Sequence, residues 1–406
     1  MCKNLSYRGS IIKMLKSKYD VIIVGGGPSG SMAAIEIAKK NISVCVLDKK
    51  TNIGIPVRCG EAIGFSGLNK FFEPKKSWIA SKINTINLIS PNSINSKIIF
   101  KAETGYILRR KKFDSGLSDI AASYGAEIFK KANVTGLVID DDYISGVKLD
   151  YLGEKRLLKA KLVIGADGID SRVGRWAGIR TSVKMKDMES CVQYSVSNID
   201  VSNNEMCMFM GKKYAPGGYL WIFPKGNKKA NIGIGVSGKY SGDKSAKKYL
   251  DDFISTNFPN AIIDLKVCGG VICAAPIKEP IKNGLMLIGD AAHQTNPMTG
   301  GGISSGMKAG VIAGKVAVQS IQSMNYDKSF LKKYPKLMFK EFGNRYQKLY
   351  KIKETINKLK DDDLNEIAFK VSQVPLDDRS LATVFKMAVY KRPSLIFDVL
   401  KIYSGF

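Results

Sequence analysis

The chain has 406 residues, of which 45% are hydrophobic and 24% charged. This length suffices for two or three domains and a core that can enclose a bound molecule, and the composition is that of a globular protein. The sequence excludes a membrane-spanning helix, because no apolar run approaches the roughly 18 residues required. It is strongly basic, with 63 Lys and Arg against 36 Asp and Glu and a formal net charge of +27.

A βαβ pattern follows a short basic N-terminal extension. Residues 19–24 (YDVIIV) and 43–48 (SVCVLD) are apolar runs rich in β-branched residues, which is typical of buried parallel strands. Between them, residues 31–40 carry small side chains on one face and predict a helix. The spacing is that of one βαβ unit.

The rest of the chain alternates between β-rich and helical segments. Residues 81–100 predict strands, 113–124 a helix and 134–152 a β-hairpin. Residues 191–238 hold several strands separated by Gly and Asn, which indicates an antiparallel sheet. The remaining patterns are two buried strands, a helix of small residues and a Lys-rich helical tail, at residues 162–164, 285–288, 306–320 and after about 326.

This order predicts an α/β fold in which β-rich insertions interrupt a Rossmann-like domain. We expect three parts, namely a discontinuous dinucleotide-binding domain, an antiparallel-sheet substrate domain and a helical C-terminal region. The predicted boundaries are residues 16–75, 105–180 and 270–325 for the first, 76–104 and 181–269 for the second, and 326–406 for the third.

A glycine-rich turn joins the first strand to the first helix. Residues 25–30 (GGGPSG) match GxGxxG, with Gly25 allowing the tight turn, Gly27 a close approach to a pyrophosphate and Gly30 close packing of helix on strand. Free N–H groups and the dipole at the helix start favour the phosphate charge. Asp48 ends the next strand, where an acid can accept hydrogen bonds from ribose hydroxyls. These residues predict a dinucleotide site.

A second match, residues 233–238 (GIGVSG), lacks this context. No packed helix follows it, and no strand ending in an acid lies at the required distance. We interpret it as a glycine cluster within a β-sheet, so the chain offers one dinucleotide site.

The cysteines argue against a disulfide framework and against a metal site. Their number is odd and no CxxC pair occurs, so we expect a reducing, cytoplasmic location and no bound metal. The seven are Cys2, Cys45, Cys59, Cys191, Cys207, Cys268 and Cys273.

Three further motifs favour FAD as the dinucleotide. Residues 110–114 (RKKFD), 162–168 (LVIGADG) and 289–293 (GDAAH) resemble the RxxFD, DG and GD motifs of the para-hydroxybenzoate-hydroxylase-like flavoproteins. In that superfamily the GD aspartate, here Asp290, hydrogen-bonds the ribityl chain. The resemblance covers about residues 19–320 and implies that superfamily's FAD-binding fold.

Two segments resemble one family within this superfamily. Residues 56–61 (PVRCGE) and 218–224 (GYLWIFP) are similar to the PxRCGE and YxWxFP segments of the geranylgeranyl reductases, and above all of the archaeal digeranylgeranylglycerophospholipid reductases. The resemblance implies an enzyme that saturates isoprenoid double bonds of ether-lipid precursors with reduced FAD. Two positions depart from the family: Asp48 where Glu is common, and His293 where some relatives place Arg.

When each position of the family's motifs is assigned to the matching residue of this chain, the resemblance implies a set of cofactor contacts in addition to Gly25 and Gly27. These are Gly30, Asp48, Cys59, Gly60, Ala62, Arg110, Val134, Asp290, Gly302 and Ile303.

Reduction of an isolated alkene needs a hydride and a proton, so we expect an apolar tunnel at the flavin and a nearby acid. Cys59 is the candidate acid, since a thiol is mostly protonated at neutral pH. Glu61 could orient Cys59 or relay its proton. The alternatives for Cys59 are a passive flavin neighbour or a small buried hydrophobe.

Aromatic residues are predicted to line the tunnel. Tyr219, Trp221 and Phe223 alternate along one strand and therefore share a face, which could form the wall of a prenyl-chain cavity. The alternative is an ordinary β-sheet core.

The predicted partners are an isoprenoid ether phospholipid as substrate and an external electron donor such as ferredoxin or NADPH. The excess of positive charge suits a phosphate-bearing head group and an anionic cytoplasmic membrane face, to which the protein could attach peripherally. The other interpretation of this charge is a solvated Lys-rich surface. No nucleic-acid motif occurs, so no nucleic acid is expected to bind.

Two other functions stay open at this stage. One is a flavin monooxygenase that hydroxylates an aromatic or prenyl substrate, and the other is a lipid-binding flavoprotein without turnover.

Overall fold

The computed structural model describes residues 15–391, except residues 103, 241 and 243. Its first βαβ unit comprises β1 (Lys18–Val24), α1 (Pro28–Ala38) and β2 (Val44–Asp48). Both strands are apolar and buried over nearly their whole length, as expected for the centre of a parallel sheet.

The chain then forms a β-hairpin and a small three-stranded sheet before it returns to the first sheet. The elements are β3 (Ala62–Gly64), α2 (Phe65–Asn69), β4 (Ile79–Ile83), β5 (Thr85–Ile89), β6 (Asn95–Ile99), β7 (Gly105–Leu108), α3 (Arg110–Ser123), β8 (Glu127–Lys130), β9 (Ala132–Asp140), β10 (Tyr143–Tyr151), β11 (Glu154–Gly165) and α4 (Arg172–Trp176).

A β-rich segment and a helical segment follow. The elements are β12 (Met188–Ser197), β13 (Glu205–Met210), β14 (Tyr219–Gly226), β15 (Lys229–Ser237), α5 (Ala246–Asn257), β16 (Ile262–Ile272), β17 (Ile281–Lys282), β18 (Leu285–Leu287), α6 (Ile303–Gln322), α7 (Lys328–Leu331), α8 (Lys333–Met338), a π-helical turn (Phe339–Gly343), α9 (Asn344–Ile356), α10 (Asp361–Ser372) and α11 (Leu381–Lys391).

The first sheet has the order β17-β18-β11-β1-β2-β8, and the β9–β10 hairpin joins it through β11. Strands β18, β11, β1, β2 and β8 run parallel. Their carboxyl ends lie at one edge, where ligands bind in open α/β sheets. The predicted Rossmann-like α/β fold is therefore confirmed.

Helices α1 and α6 pack closely against each other on this sheet. A Cβ atom added to Gly310 would lie 2.3 Å from the Ser29 carbonyl oxygen, and one on Gly314 would lie 2.7 Å from Cβ of Glu36. The small residues that predicted this helix therefore have a structural role, because only they let the two backbones approach.

The second sheet has the order β16-β12-β15-β14-β13-β5-β6. Its pairs are antiparallel except β5 with β13, which run parallel. The second glycine run lies in β15, with Gly233 and Gly235 inside the strand, as interpreted from the sequence. A separate three-stranded sheet has the order β3-β7-β4, and both of its pairs are antiparallel.

The C-terminal helices attach to the second sheet through a buried ion pair. Lys353 Nζ in α9 lies 3.0 Å from Asp187 Oδ1, and both side chains are about 8% exposed. The ammonium also donates to the Cys273 carbonyl at 2.6 Å, and the Tyr350 hydroxyl donates to Asp187 at 3.1 Å. The predicted helical region, residues 326–406, is described up to residue 391, and its boundary stays a prediction.

Candidate active site

The glycine turn between β1 and α1 forms a cradle that side chains would fill. Gly25 has a φ of +109°, and a Cβ atom there would lie 2.2 Å from the Ala166 carbonyl oxygen. A Cβ on Gly30 would lie 2.0 Å from the Gly25 carbonyl oxygen. At Gly27, which precedes the first turn of α1, a Cβ would meet no atom within 4 Å. The turn therefore leaves open space at the helix N-terminus, and this space fits a pyrophosphate.

Asp48 lies beside this cradle at the end of β2. Its Oδ2 accepts a hydrogen bond from the Gly26 N–H and its Oδ1 one from the Lys50 N–H, both at 2.8 Å. Each carboxylate oxygen can accept a second bond, so Asp48 can also hold ribose hydroxyls. Asp48, whose side chain is shorter than the Glu common in the resembled family, thus lies at the cradle.

A second part of the cradle lies between β18 and α6. Asp290 accepts a hydrogen bond from Thr295 Oγ1 at 3.1 Å, and burial raises the pKa of its carboxyl. A Cβ on Gly302 would lie 2.7 Å from Asp290 Oδ1, so a side chain there would displace the carboxyl. Ile303 begins α6, a helix of 20 residues whose N-terminus faces this site. The arrangement fits a polar chain held by Asp290 beside a helix dipole.

A single cavity of about 1260 Å³ connects these groups to the second sheet and the C-terminal helices. It exceeds the range typical of small-ligand pockets, so a dinucleotide and a lipid chain can occupy it together. Of the predicted site residues, only Gly30 does not line this cavity. The others line the cavity: Gly25, Gly27, Asp48, Cys59, Gly60, Glu61, Ala62, Arg110, Val134, Asp290, Gly302, Ile303, Tyr219, Trp221 and Phe223.

The loop that carries Cys59 is held against the second sheet. Gln193 Nε2 donates to the Cys59 carbonyl at 3.1 Å, and the Glu61 N–H donates to Cys59 Sγ at 3.2 Å. Burial raises the pKa of the thiol, and the nearby Arg110 guanidinium opposes this shift. A Cβ on Gly60 would lie 2.8 Å from the Phe223 ring. The raised pKa favours the protonated thiol at neutral pH, and the two hydrogen bonds fix Cys59 at the junction of cradle and sheet.

The Glu61 carboxylate anchors this loop. Its Oε1 accepts from the Arg110 N–H and its Oε2 from Asn231 Nδ2, both at 2.7 Å, and Lys225 forms an ion pair with Oε2. Glu61 itself has a φ of +72°. Its described contact with the Cys59 thiol is through its own N–H, which fits the orienting role. A proton relay through Glu61 stays a prediction.

Arg110 and Val134 flank the loop and the cofactor cradle. The Arg110 guanidinium pairs with both carboxylate oxygens of Asp114, at 2.6 and 2.8 Å, so its charge is fixed in place. Val134 lies in β9 and is 6% exposed. Both line the cavity, and their contacts with FAD stay predictions.

Tyr219, Trp221 and Phe223 share one face of β14 and face the cavity. Their ring centroids are 5.8 and 6.0 Å apart, and Trp221 Nε1 donates to Gln193 Oε1 at 3.2 Å. Gly233 on the neighbouring strand leaves room for the indole, since a Cβ there would lie 2.3 Å from Trp221 Cζ2. The three rings therefore form part of a cavity wall; their contact with substrate stays a prediction.

Sequence reasoning missed part of the apolar lining. Met206, Met208 and Met210 alternate along β13 and line the cavity, a period-two signal that was available in the sequence. Helices α10 and α11 close the end of the cavity away from the glycine cradle, and their apolar side chains at helical spacing line it. These are Leu364, Ile367, Ala368, Leu381, Val384, Phe385 and Ala388.

His293 does not line the cavity, although it follows the GD motif directly. Its Nε2 lies 3.0 Å from the Thr181 carbonyl oxygen, and burial lowers the pKa of the ring. A neutral, hydrogen-bonded imidazole is expected here.

Replacing Gly27 with Ala is expected to weaken FAD retention at least tenfold while leaving the fold intact. The added methyl group meets no protein atom but occupies the space where the pyrophosphate must approach the backbone. Flavin absorbance after dialysis measures retention. Gly242→Ala is the matched control, since a Cβ there also meets open space and Gly242 does not line the cavity. Wild-type retention in Gly27→Ala would contradict this placement of the pyrophosphate.

Two family models match the chain at the regions just described. The NAD(P)-binding Rossmann-like domain model matches residues 23–68, which contain the glycine cradle and the Cys59 loop. The geranylgeranyl reductase catalytic domain model matches residues 187–271, which contain most of the second sheet.

Curated relatives match almost the whole chain. Digeranylgeranylglycerophospholipid reductase 1 of Methanococcoides burtonii is 42% identical over 393 residues, which are 96% of each chain. Digeranylgeranylglycerophospholipid reductase of Methanocella arvoryzae is 37% identical and covers 95% of this chain and 99% of its own.

Solved structures show the same architecture. A geranylgeranyl bacteriochlorophyll reductase-like protein from Thermoplasma acidophilum is 33% identical, with a TM-score of 0.90, and the match covers 95% of this chain and 99% of that one. A flavin-dependent brominase, 18% identical with a TM-score of 0.69, shares the fold. Together with the dinucleotide cradle, these matches confirm the predicted FAD cofactor. The chain belongs to the geranylgeranyl reductase family, among the digeranylgeranylglycerophospholipid reductases.

Proposed function

We propose that this protein saturates the isolated C=C bonds of geranylgeranyl chains in archaeal ether-lipid precursors, with FAD as its redox cofactor. The observation that carries the proposal is the shared cavity. The same space is bordered by the dinucleotide cradle around Gly27 and by the apolar face of β13 and β14. A cofactor ring and a prenyl chain can therefore meet inside the protein, away from bulk water.

The chain's own residues supply the environment that this reaction needs. When bound, reduced FAD supplies the hydride to one carbon of the double bond. Cys59 holds the proton that the other carbon receives, and burial keeps its thiol in the protonated form. Trp221, Phe223 and the methionines of β13 exclude water and align the chain, so the proton is not lost to solvent.

The cavity also fits an anionic head group. Arginine and lysine side chains lie along its wall, among them Arg58, Arg172, Lys308 and Arg345. Such groups pair with phosphate oxygens, which suits a phospholipid substrate better than a neutral one.

We infer that electrons come from an external donor such as ferredoxin or NADPH. The second glycine run forms strand β15 and offers no second dinucleotide cradle. A nicotinamide donor would therefore have no Rossmann site of its own here, whereas ferredoxin would need only surface contact.

We further propose a cytoplasmic location at the membrane face from which the lipid is taken. In the described part of the chain, no helix is long and apolar enough to cross a bilayer. The net charge of +27 favours attraction to an anionic lipid surface, which would be screened by salt.

The test is anaerobic reoxidation of the reduced flavin. Dithionite-reduced protein mixed with a geranylgeranyl ether phospholipid is expected to regain its oxidised flavin absorbance, whereas the fully saturated phytanyl lipid leaves it reduced. Flavin that stays reduced until air is admitted would indicate a monooxygenase if the lipid then gains oxygen, and a lipid-binding flavoprotein without turnover if the lipid is unchanged. Either result would overturn the proposed function.

A further inference from the structure

Strand β12 presents a row of polar side chains to the cavity next to Cys59. Glu189, Cys191 and Gln193 alternate along the strand, share one face and line the cavity. Gln193 at one end of the row is bonded to the Cys59 carbonyl. The row therefore leads from the Cys59 loop, past a second thiol, to a carboxyl group that the proposed mechanism does not use.

Two glycines on neighbouring backbone make room for this carboxyl. A Cβ on Gly235 would lie 2.5 Å from Glu189 Oε2 and 3.5 Å from Cys191 Sγ. A Cβ on Gly218 would lie 3.2 Å from the same carboxyl oxygen. Side chains at either position would displace Glu189, so the backbone leaves a niche for the carboxyl on the same face of the strand as Cys191, whose thiol donates to the Glu189 carbonyl at 3.8 Å.

The surroundings of the niche favour a protonated carboxyl. Burial raises the pKa of Glu189, and the nearby Cys273 thiol and Lys353 ammonium oppose that shift. The other titratable groups that face it are the Cys191 thiol and the Tyr219 hydroxyl, and burial raises the pKa of both. A carboxylic acid is a stronger acid than a thiol, so proton transfer from Glu189 toward a Cys59 thiolate runs downhill.

Saturation of successive double bonds requires a group that can return a proton to Cys59 after each reduction. Each reduction removes the proton of Cys59, and a lipid-filled apolar cavity gives the resulting thiolate little water from which to recover it. We propose that Glu189 restores the proton of Cys59 through the Cys191 thiol after each reduction. This inference rests on the proposed function and extends it to the proton supply.

The transfer balances without a change in oxidation state. The S–H bond of Cys191 breaks as the S–H bond of Cys59 forms, and the O–H bond of Glu189 breaks as the Cys191 thiol is restored. The Glu189 carboxylate then takes a proton from water that enters the cavity when the reduced chain moves on, which leaves hydroxide in the solvent. Glu189 is therefore a positioning and relay residue, and Cys59 is the group that contacts the substrate.

The test separates the first reduction from the following ones. In Glu189→Gln, a single turnover of reduced protein uses the proton already on Cys59 and is expected to keep its rate within about twofold. The steady-state rate with excess dithionite is expected to fall roughly 10- to 100-fold, within the range of lost proton-transfer catalysis. Cys191→Ala is likewise expected to keep its single-turnover rate and lose steady-state rate. This second variant keeps the test valid if one of the two folds poorly.

The pH profile is the second readout. The wild-type steady-state rate is expected to fall as pH rises through the raised pKa of Glu189, since only the protonated carboxyl can donate. Glu189→Gln is expected to lack this decline. The matched control is Glu205→Gln, because Glu205 pairs with Lys97 on the same sheet and does not line the cavity.

The outcomes distinguish the relay from the proposed function. If wild-type protein fails to reduce the lipid, the proposed function and the relay both fall. If wild-type protein turns over, two results would show that the relay is wrong while the proposed function stands. One is a Glu189→Gln steady-state rate equal to the wild-type rate, and the other is a single-turnover rate that falls as much as the steady-state rate.

Discussion

Replacement of Cys59 with Ala is expected to slow alkene saturation by about 10²- to 10⁴-fold, the usual contribution of a general acid. The thiol lies half-buried at the junction of the cofactor cradle and the aromatic wall, and burial raises its pKa, which favours the protonated form. Flavin retention is expected to be unchanged, because Cys59 contacts Gln193 through its backbone carbonyl, which Ala keeps. Single-turnover reoxidation of reduced protein by the unsaturated lipid measures the effect.

Cys207→Ala provides the matched control for this variant. Cys207 lies in β13, burial likewise raises the pKa of its thiol, and its side chain is absent from the cavity wall. The control is expected to reduce lipid at the wild-type rate. If Cys59→Ala also did so with FAD bound, Cys59 would be a passive neighbour of the flavin and another acid would supply the proton.

Replacement of Lys353 with Met is expected to lower the free energy of unfolding by about 3–5 kcal/mol, the usual cost of removing one partner of a buried ion pair. Asp187 would keep the Tyr350 hydroxyl as a partner but lose the compensating charge. The Cys273 carbonyl would lose a donor as well. Denaturant unfolding of the FAD-bound protein measures the change.

Two comparisons test the cause of this destabilisation. Lys370→Met removes one partner of an exposed pair with Glu366 and is expected to cost at most about 1 kcal/mol. The double variant Asp187→Leu, Lys353→Met is expected to recover part of the loss, since no buried charge is left alone. Equal costs for Lys353→Met and Lys370→Met would contradict an energetic role of the buried pair.

The parts of the site that could be predicted are those that local sequence specifies. The turn at residues 25–30 requires glycine for steric reasons that hold within one βαβ unit. Asp48 and Asp290 follow buried strands, and the carboxyl ends of parallel strands meet at one edge of the sheet. The alternation of Tyr219, Trp221 and Phe223 fixed their common face, although a cavity wall and a core face share this pattern.

Apart from the methionines of β13, the parts of the site that were missed depend on contacts between distant segments. Whether α10 and α11 close the cavity depends on how α10 packs on β6 and α11 on α10, which their amphipathic pattern leaves open. The niche of Glu189 is formed by Gly218 and Gly235, which lie on other backbone segments and looked like ordinary sheet glycines. The pairing of Lys353 with Asp187 joins positions 166 residues apart and has no local signal.

The mass of the lipid product tests the central claim most directly. Purified protein with bound FAD is incubated without oxygen with dithionite and a geranylgeranyl ether phospholipid. The account predicts products that gain hydrogen in steps of two, with the head group unchanged and no gain when the protein is omitted. A product that gains oxygen once air is admitted, or a lipid recovered unchanged from flavin-loaded protein, would contradict it.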